Sequence, residues 1–507
     1  MIPVLSNQQV RSVEEATIAA GVTVEELMER AGRAVTDVLL ELEGLGLLGE
    51  HPSYVILAGR GHNGGDGLVV ASHLHARGRR VRVITIDHQE GVSGVVAERF
   101  DRLPRNIHVD PLTTSPYNIQ FNDNEVIIDA ILGSGITRPV HGALAGLFAR
   151  VNSSGRPVVA IDVPSGTMDP AEGLGAGPTI QAHHTVTFQV PRLALILPET
   201  GTAAGTWFMR PIGLDAKMLE STQRIGDWVE GADIRRALKP RGRFTHKGSY
   251  GHSLVIAGGA GCHGAGVLAA TGCARSGVGL LTVHGVENTI QQIGAAMPDV
   301  MTSVDANRDH IGQLPDLERY TAVAFGPGVG VAKGPKEVLK ELLGRWNGPL
   351  VLDADALSLL AQERDLLDRL SSSTVLTPHP KEMDRLLGCS SSSSYDRLCR
   401  SKAFAQEVGC TVVLKGAYTA VCSSDGRVYF NSTGNSGMAK GGTGDVLTGL
   451  LVGLLAQGYD PLEASILSNY VHGLSGDFAA ADLGVDAMRA SDLVQYMPKA
   501  WSRLRRP

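Results

Sequence analysis

Over about the first 45 residues, apolar positions recur at helical spacing, with Leu27, Ala31, Ala34, Val38 and Leu39 on one face. Thr23-Val24-Glu25-Glu26 precedes them as a capping box, in which the Thr23 hydroxyl accepts an N–H and Glu26 reaches back. From residue 54 the period changes. Short β-branched runs (54–58, 81–86, 126–132 and 158–163) alternate with helix-length segments, which predicts βαβ units on a parallel sheet. The pattern thins after Pro211, and residues 215–240 are mixed and charged. A second cycle starts at 252–261 and continues through 321–328, 350–356, 373–380 and 411–417. The boundary falls near residue 225 and predicts two α/β domains, residues 1–220 and 225–507, each opening with a strand, a glycine-rich loop and a helix.

Composition narrows the function classes. The chain has 507 residues, 43% of them hydrophobic and 19% charged, enough apolar material for two sizeable cores. A net charge of −6 offers no bulk attraction to phosphate backbones, so nucleic acid is not an expected partner. No apolar run approaches the ~20 residues that span a bilayer. The N-terminus lacks a basic segment followed by an apolar core, so neither membrane nor export is expected and a cytoplasmic location is. The six cysteines (262, 273, 389, 399, 410 and 422) form no C-x-x-C pair and read as free thiols.

The chemistry of the first half sits in the segment LAGRGHNGGDGLVVASHL. Gly59, Gly61 and Gly64 satisfy G-x-G-x-x-G, and Asp87 closes the next strand, a dinucleotide fingerprint on its face. The same glycine spacing recurs at Gly259, Gly261 and Gly264, and Asp66 would set a negative charge where a pyrophosphate should dock. Asn63 and Asp66, in a loop made flexible by glycines, offer oxygens to a hard cation or to a polar substrate. Asp129, followed by Gly133-Ser134-Gly135, and Asp162, followed by Pro164-Ser165-Gly166, stand at two further strand ends. In open parallel sheets such ends form the binding crevice.

GRGHNGGDG, DAILGSGITRP and IDVPSG, in that order, resemble the signature segments of the YjeF N-terminal family of NAD(P)H-hydrate epimerases over about residues 1–215. The resemblance implies a Rossmann-like three-layer αβα domain. It further implies a potassium ion held by Asn63, Asp129 and Ser165. Hydrated nicotinamide nucleotide would be bound by His62, Asn63, Gly64, Gly65, Asp66, Gly133, Ser134, Gly135, Ile136, Thr137, Arg138, Pro139 and Asp162. His62 stands where the family has asparagine. Asp162 is the candidate general acid/base for reversible bond breaking at C6, a carbon bearing a hydroxyl. The alternative for Asp162 is a cap on the Pro-Ser-Gly turn.

The second half carries NSTGNSGMAKGGTGDVLTGLLVG, in which Gly441, Gly442 and Gly444 precede Asp445 and an apolar helix. Successive N–H groups at such a helix start cradle anions, and Asp445 at the rim can take a proton from a hydroxyl. Gly-Lys occurs nowhere in the chain, which excludes a Walker loop but not nucleotide binding. The GGTGD segment resembles the anion hole of the ribokinase-like fold. Together with GGAGCHGAGVLAATGCARSGVGLLTV, FGPGVG, LDADAL and TPHPKEMDRLLG it is similar to the NAD(P)H-hydrate dehydratase family over about residues 228–500.

That second resemblance implies substrate at Ala265, Gly328, His379 and Asp445. Adenine nucleotide would lie at Lys415, Gly416, Ala417, Tyr418, Thr419 and Gly444, with Mg2+ as its counter-ion. Lys381 replaces a glycine usual in the family, which is expected to stiffen the turn after His379. The fusion implies a bifunctional repair enzyme that epimerises R and S NAD(P)HX and dehydrates the S epimer with ADP or ATP, ADP being the expected donor. We expect a homo-oligomer. The competing reading is a ribokinase-like kinase of a small alcohol with a non-catalytic N-terminal binding domain.

Overall fold

Strands such as Ser53–Ala58 (SYVILA) are apolar on nearly every residue because both faces of their sheet are covered. In the computed structural model of the chain, which describes residues 1–86, 94–112, 119–173 and 177–506, two compact units appear, Ile2–Ile225 and Gly226–Pro507. Asp87 lies outside the described residues.

The first unit holds an all-parallel sheet in the order His108–Leu112, Val81–Ile86, Ser53–Ala58, Glu125–Ala130, Val158–Ile161, His184–Phe188, Thr206–Arg210. Side chains alternate between faces with period two. Val55, Leu57, Ile127 and Ala160 pack with Leu147, Phe148 and Val151 of helix Gly142–Asn152. Ile56, Ile128, Val159 and Ile161 pack with Val10, Val13, Leu27, Val35 and Leu68 on the other side. The result is three layers. The chain steps outward from Ser53–Ala58 to His108–Leu112, then returns to Glu125–Ala130 and steps the other way. Between Ser53–Ala58 and Glu125–Ala130 the strand order reverses, the position where open α/β sheets bind ligands.

Two local expectations change. Thr23 does cap helix Val24–Gly44 by accepting from Glu26 N–H at 3.1 Å, but the Glu26 carboxylate turns to Arg30 instead of closing the box. The reciprocal box forms one helix earlier, between Ser6 and Gln9 at the start of Asn7–Ala19. The glycine-rich run is also not a flexible loop, because helix His62–Ala76 already begins at His62. Its glycines serve contact. A Cβ at Gly64 would lie 1.8 Å from the Gly59 carbonyl oxygen, one at Gly65 2.4 Å from Met28 Cε, and one at Gly67 2.6 Å from Ala130 Cβ.

The second unit builds its sheet in the order Gly226–Val229, Val428–Asn431, Ala420–Cys422, Thr411–Leu414, Thr374–Leu376, Leu350–Leu352, Ala322–Phe325, His252–Ile256, Leu280–Gly285, Met301–Val304. Only Ala420–Cys422 runs antiparallel to its neighbours there. Helix Thr443–Ala456 is buried from Val446 to Ala456 and lies against helix His263–Ala274. Glycines bring these backbones close: a Cβ at Gly449 would meet the Ala269 carbonyl oxygen at 1.9 Å, and one at Gly272 the Val446 oxygen at 2.3 Å. This contact aims the N-terminus of Thr443–Ala456 at the carboxyl ends of the strands. Cys273, Cys410 and Cys422 are buried and all six cysteines are free. Among the described residues, no helix is long and apolar enough to cross a membrane.

Candidate functional site

In the first unit a cavity of ≈ 1140 Å³ opens at the reversal of strand order. His62, Asn63 and Asp66 line it from the first turns of their helix, Gly133 to Pro139 from the loop after Glu125–Ala130, and Asp162 from the end of Val158–Ile161. Gly64 and Gly65 face neighbouring backbone and Met28 instead of the cavity. Asp129 and Ser165 sit behind the lining. The Asp129 carboxylate accepts from Ser165 N–H at 2.7 Å and from Ser165 Oγ at 2.5 Å, and Ser165 Oγ accepts in turn from Leu132 N–H at 2.8 Å. Burial pushes the Asp129 carboxyl up to about 6, against the Ser165 hydrogen bonds, which favour its charge.

Asn63 Nδ2 donates to the Ile161 carbonyl at 2.8 Å, which tethers the helix start to the next strand end. The other end of the amide, Asn63 Oδ1, is buried and has no hydrogen-bond partner among the described residues. A buried acceptor left unpaired costs about 1–3 kcal/mol unless something donates to it or binds it. Asn63, Asp129 and Ser165 offer amide, carboxylate and hydroxyl oxygens, the ligand chemistry of a hard cation.

Asp162 is not a turn cap. Its backbone is left-handed at φ 69°, and its Oδ1 lies 2.6 Å from Nη2 of Arg192, whose side chain is 1% exposed. Glu14 and Arg11, on helix Asn7–Ala19, line the same cavity, and Arg11 donates to the Ser134 carbonyl at 3.1 Å. Sequence reasoning passed over Glu14, Arg11 and Arg192, because single charged residues on helices and loops look like solvated surface.

In the second unit the site runs along adjacent strand ends. Ala265 and Gly328 come together, since a Cβ on Gly328 would lie 3.2 Å from Ala265 Cβ. Lys415 follows Thr411–Leu414, and Asp353 follows Leu350–Leu352. Lys415 Nζ donates to Asp353 Oδ1 at 2.8 Å, Thr448 Oγ1 donates to Asp353 Oδ2 at 2.6 Å, and Glu382 lies 3.9 Å from the same ammonium. A Cβ on Gly444 would stand 3.5 Å from Lys415 Nζ, which brings the helix start to the ion pair. Burial alone would raise the Asp353 carboxyl, yet the Lys415 ammonium and the Thr448 hydroxyl hold it below the usual carboxylate range. Asp445, in the first turn of Thr443–Ala456, is pushed up to about 7 by burial and by the negative charge of Asp353, against the pull of Lys415.

His379 caps helix Pro380–Leu387. Its Nδ1 accepts from the N–H groups of Lys381 at 3.1 Å and Glu382 at 3.3 Å. Burial and then the Lys415 charge lower its pKa, so the ring is neutral near pH 7. Lys381 lies in a helical first turn with no positive φ, so lysine takes that conformation without strain. Gly416 to Thr419 form the bend into Ala420–Cys422. Tyr418 leans on Trp228 with ring centroids 5.4 Å apart, and Thr419 Oγ1 donates to the Gly416 carbonyl at 3.2 Å. His472 Nε2 is 2.9 Å from the Thr443 carbonyl, which braces the helix start. Asp353 and Glu382 lie inside LDADAL and TPHPKEMDRLLG, yet nothing in the sequence marks them, or Thr448, as neighbours of Lys415.

Comparison with known proteins adds to this geometry. Residues 24–194 match the YjeF-related protein N-terminus family, and residues 253–499 match the NAD(P)H-hydrate dehydratase family. The chain is 36% identical over 489 residues to the bifunctional NAD(P)H-hydrate repair enzyme Nnr of Moorella thermoacetica, covering 93% of this chain and 91% of that one. It is 32% identical over 494 residues to the enzyme of the same name from Escherichia coli, covering 96% and 92%. Among solved structures, the ADP/ATP-dependent NAD(P)H-hydrate dehydratase from Bacillus subtilis, co-crystallised with ATP/Mg2+, is 30% identical and covers 55% of this chain and 99% of its own, with a TM-score of 0.49. With both units matched in order, and with such identity over nearly its whole length, the chain belongs to the family of bifunctional NAD(P)H-hydrate repair enzymes.

Proposed function

We propose that the first unit interconverts the R and S epimers at C6 of hydrated NADH and NADPH, and that the second dehydrates the S epimer at the expense of ADP or ATP. The observation that carries the reading is Asp445, a carboxyl raised to about 7 in the first turn of a helix whose start meets the Lys415–Asp353 pair. Such a group takes a proton near neutral pH, beside backbone N–H groups suited to phosphate.

The steps follow from those positions. Asp445 accepts the proton of the C6 hydroxyl as its oxygen attacks the terminal phosphoryl group of the nucleotide. Lys415 and the N–H groups around Gly444 stabilise the phosphoryl charge. The phosphorylated C6 oxygen then leaves as phosphate, the ring nitrogen supplies its electron pair, and loss of the C5 proton restores the dihydropyridine. ADP yields AMP and ATP yields ADP. Asp353 and Glu382 would supply carboxylate oxygens to a magnesium ion, which would neutralise phosphate charge when bound with the nucleotide. In the first unit, Asn63, Asp129 and Ser165 would hold potassium beside the loop Gly133 to Pro139 and fix the helix start there. Asp162 moves a proton to or from the oxygen at C6.

A kinase that stops at the phosphorylated alcohol would share the second half of this site. The near full-length relatives named as repair enzymes favour elimination. The test is mixed-epimer NADHX with ADP, ATP or no nucleotide, followed by NADH absorbance. Nucleotide-dependent conversion of both epimers with release of free phosphate is expected. A stable phosphorylated product without NADH would overturn the reading.

A further inference from the structure

Inversion at C6 needs two proton transfers, one as the hydroxyl leaves one face and one as water returns to the other. A single carboxyl on one face serves one of them. The first unit places a second acid in the same cavity. Glu14 and Asp162 both line it, and both approach one nitrogen: Arg192 Nη2 is 2.6 Å from Asp162 Oδ1 and 3.9 Å from Glu14 Oε1. Arg192 is fully buried, whereas 33% of the Glu14 side chain remains accessible. Arg192 sits against Asp162 and farther from Glu14, so Glu14 is the less compensated acid of the two.

The surroundings of Glu14 also favour its protonated form. Burial pushes its carboxyl up to about 7, with Arg192 and Arg11 opposing and Asp162 and Glu15 adding to the rise. Asp66, also on the cavity, is raised well above the usual range by burial and by the charges of Asp162 and Glu14, with Arg99 opposing.

Resting on the reading of this cavity as the epimerase site, we propose that Glu14 is the second proton-transferring residue, acting on the face of C6 opposite Asp162. The Glu14 proton passes to the C6 hydroxyl, the C6–O bond breaks as the ring nitrogen's lone pair forms a C6=N bond, and water departs. A water adding to the opposite face gives a proton to the Asp162 carboxylate, and the C=N π electrons return to nitrogen. The pair has then moved its proton from Glu14 to Asp162, which is the state needed to invert the other epimer. Exchange with water in the cavity restores the first state.

The full-length enzyme is tested on mixed-epimer NADHX with saturating ADP, where the S epimer reacts in a first phase and the R epimer in a second phase limited by epimerisation. Glu14→Gln is expected to lower kcat of the second phase on the order of 100-fold, leaving the R-epimer KM nearly unchanged and the first phase intact. The wild-type second phase is expected to fall as pH rises through about 7, where Glu14 loses its proton; Glu14→Gln lacks that limb and Glu14→Asp keeps it. Wild-type rate and pH profile in Glu14→Gln, with Asp162→Asn inactive in the second phase, overturn the proposal and leave the site reading standing. If both variants epimerise normally, both readings fall. Loss of R-epimer binding in Glu14→Gln and Glu14→Asp alike marks a structural role and also overturns the proposal.

Discussion

Both units place an acid at the carboxyl edge of a parallel sheet, yet they set its charge by opposite means. In the first, Asp162 touches a buried guanidinium, and the neighbouring Glu14 is the group left to carry a proton. In the second, the half-buried cation Lys415 pairs with Asp353, and Asp445 feels that carboxylate as a repelling charge. Each arrangement suits its reaction. Reversible inversion profits from a proton shared by two acids, whereas phosphoryl transfer needs one base that is empty near neutral pH. Both sites also keep a non-glycine residue in the left-handed region, Asp162 at φ 69° and Ala354 at φ 52° beside Asp353. Local strain held by surrounding structure is a recurrent feature of such sites.

The contrast breaks most visibly at Asp445. Asp445→Asn is expected to lower nucleotide-dependent NADH formation by about 10²–10⁴-fold while R and S epimers still interconvert, as chiral chromatography of the substrate pool would read. In the wild type, kcat/KM of dehydration rises as pH increases through about 7, because the carboxyl must lose its proton to act as a base. A folded pKa above the unfolded 3.8 also means that stability present at low pH is lost as pH climbs towards 7. The variant therefore melts higher than wild type at pH 8, and the gap closes as pH falls towards 4; a gap independent of pH would remove the repulsion argument.

Lys415→Met comes next. It leaves Asp353 buried without its cation, which costs about 3–5 kcal/mol in denaturant titration of the second unit's transition. With the repelling charge no longer balanced, the surviving Asp445 titrates higher, so any residual activity shifts its acid limb upward. An unchanged midpoint would show that Asp353 is solvated. The smallest effect is at Ala354. Ala354→Gly removes the left-handed penalty and is expected to stabilise by about 0.5–1 kcal/mol, measured as a rise in Tm. Destabilisation would mean that the conformation is not strained.

Much of this was readable in the chain. The β-branched runs at 54–58, 126–132 and 158–163 predicted strands because each is buried on both faces, and the acids at 129 and 162 fall at their ends as expected. The glycines of 59–67 were visible but their purpose was not. A glycine needed for a 1.8 Å approach to another backbone looks the same in sequence as one that loosens a loop. Lys415 was legible through its segment, whereas Asp353 was one acid among two in LDADAL until the fold set it 2.8 Å from that lysine.

Sequence by itself determined the alternation of elements, the division into two α/β units and the ordered motifs at their strand ends, because burial and turn chemistry are local properties of residue pattern. Tertiary structure alone decided which charges meet. Glu14, Asp162 and Arg192 come from a helix near the N-terminus, a strand end and a segment beyond the next strand, and Asp353, Lys415 and Thr448 from three separate elements. The protonation of an acid depends on burial and on charges a few ångströms away, and those distances exist only once the sheet has brought the strand ends side by side.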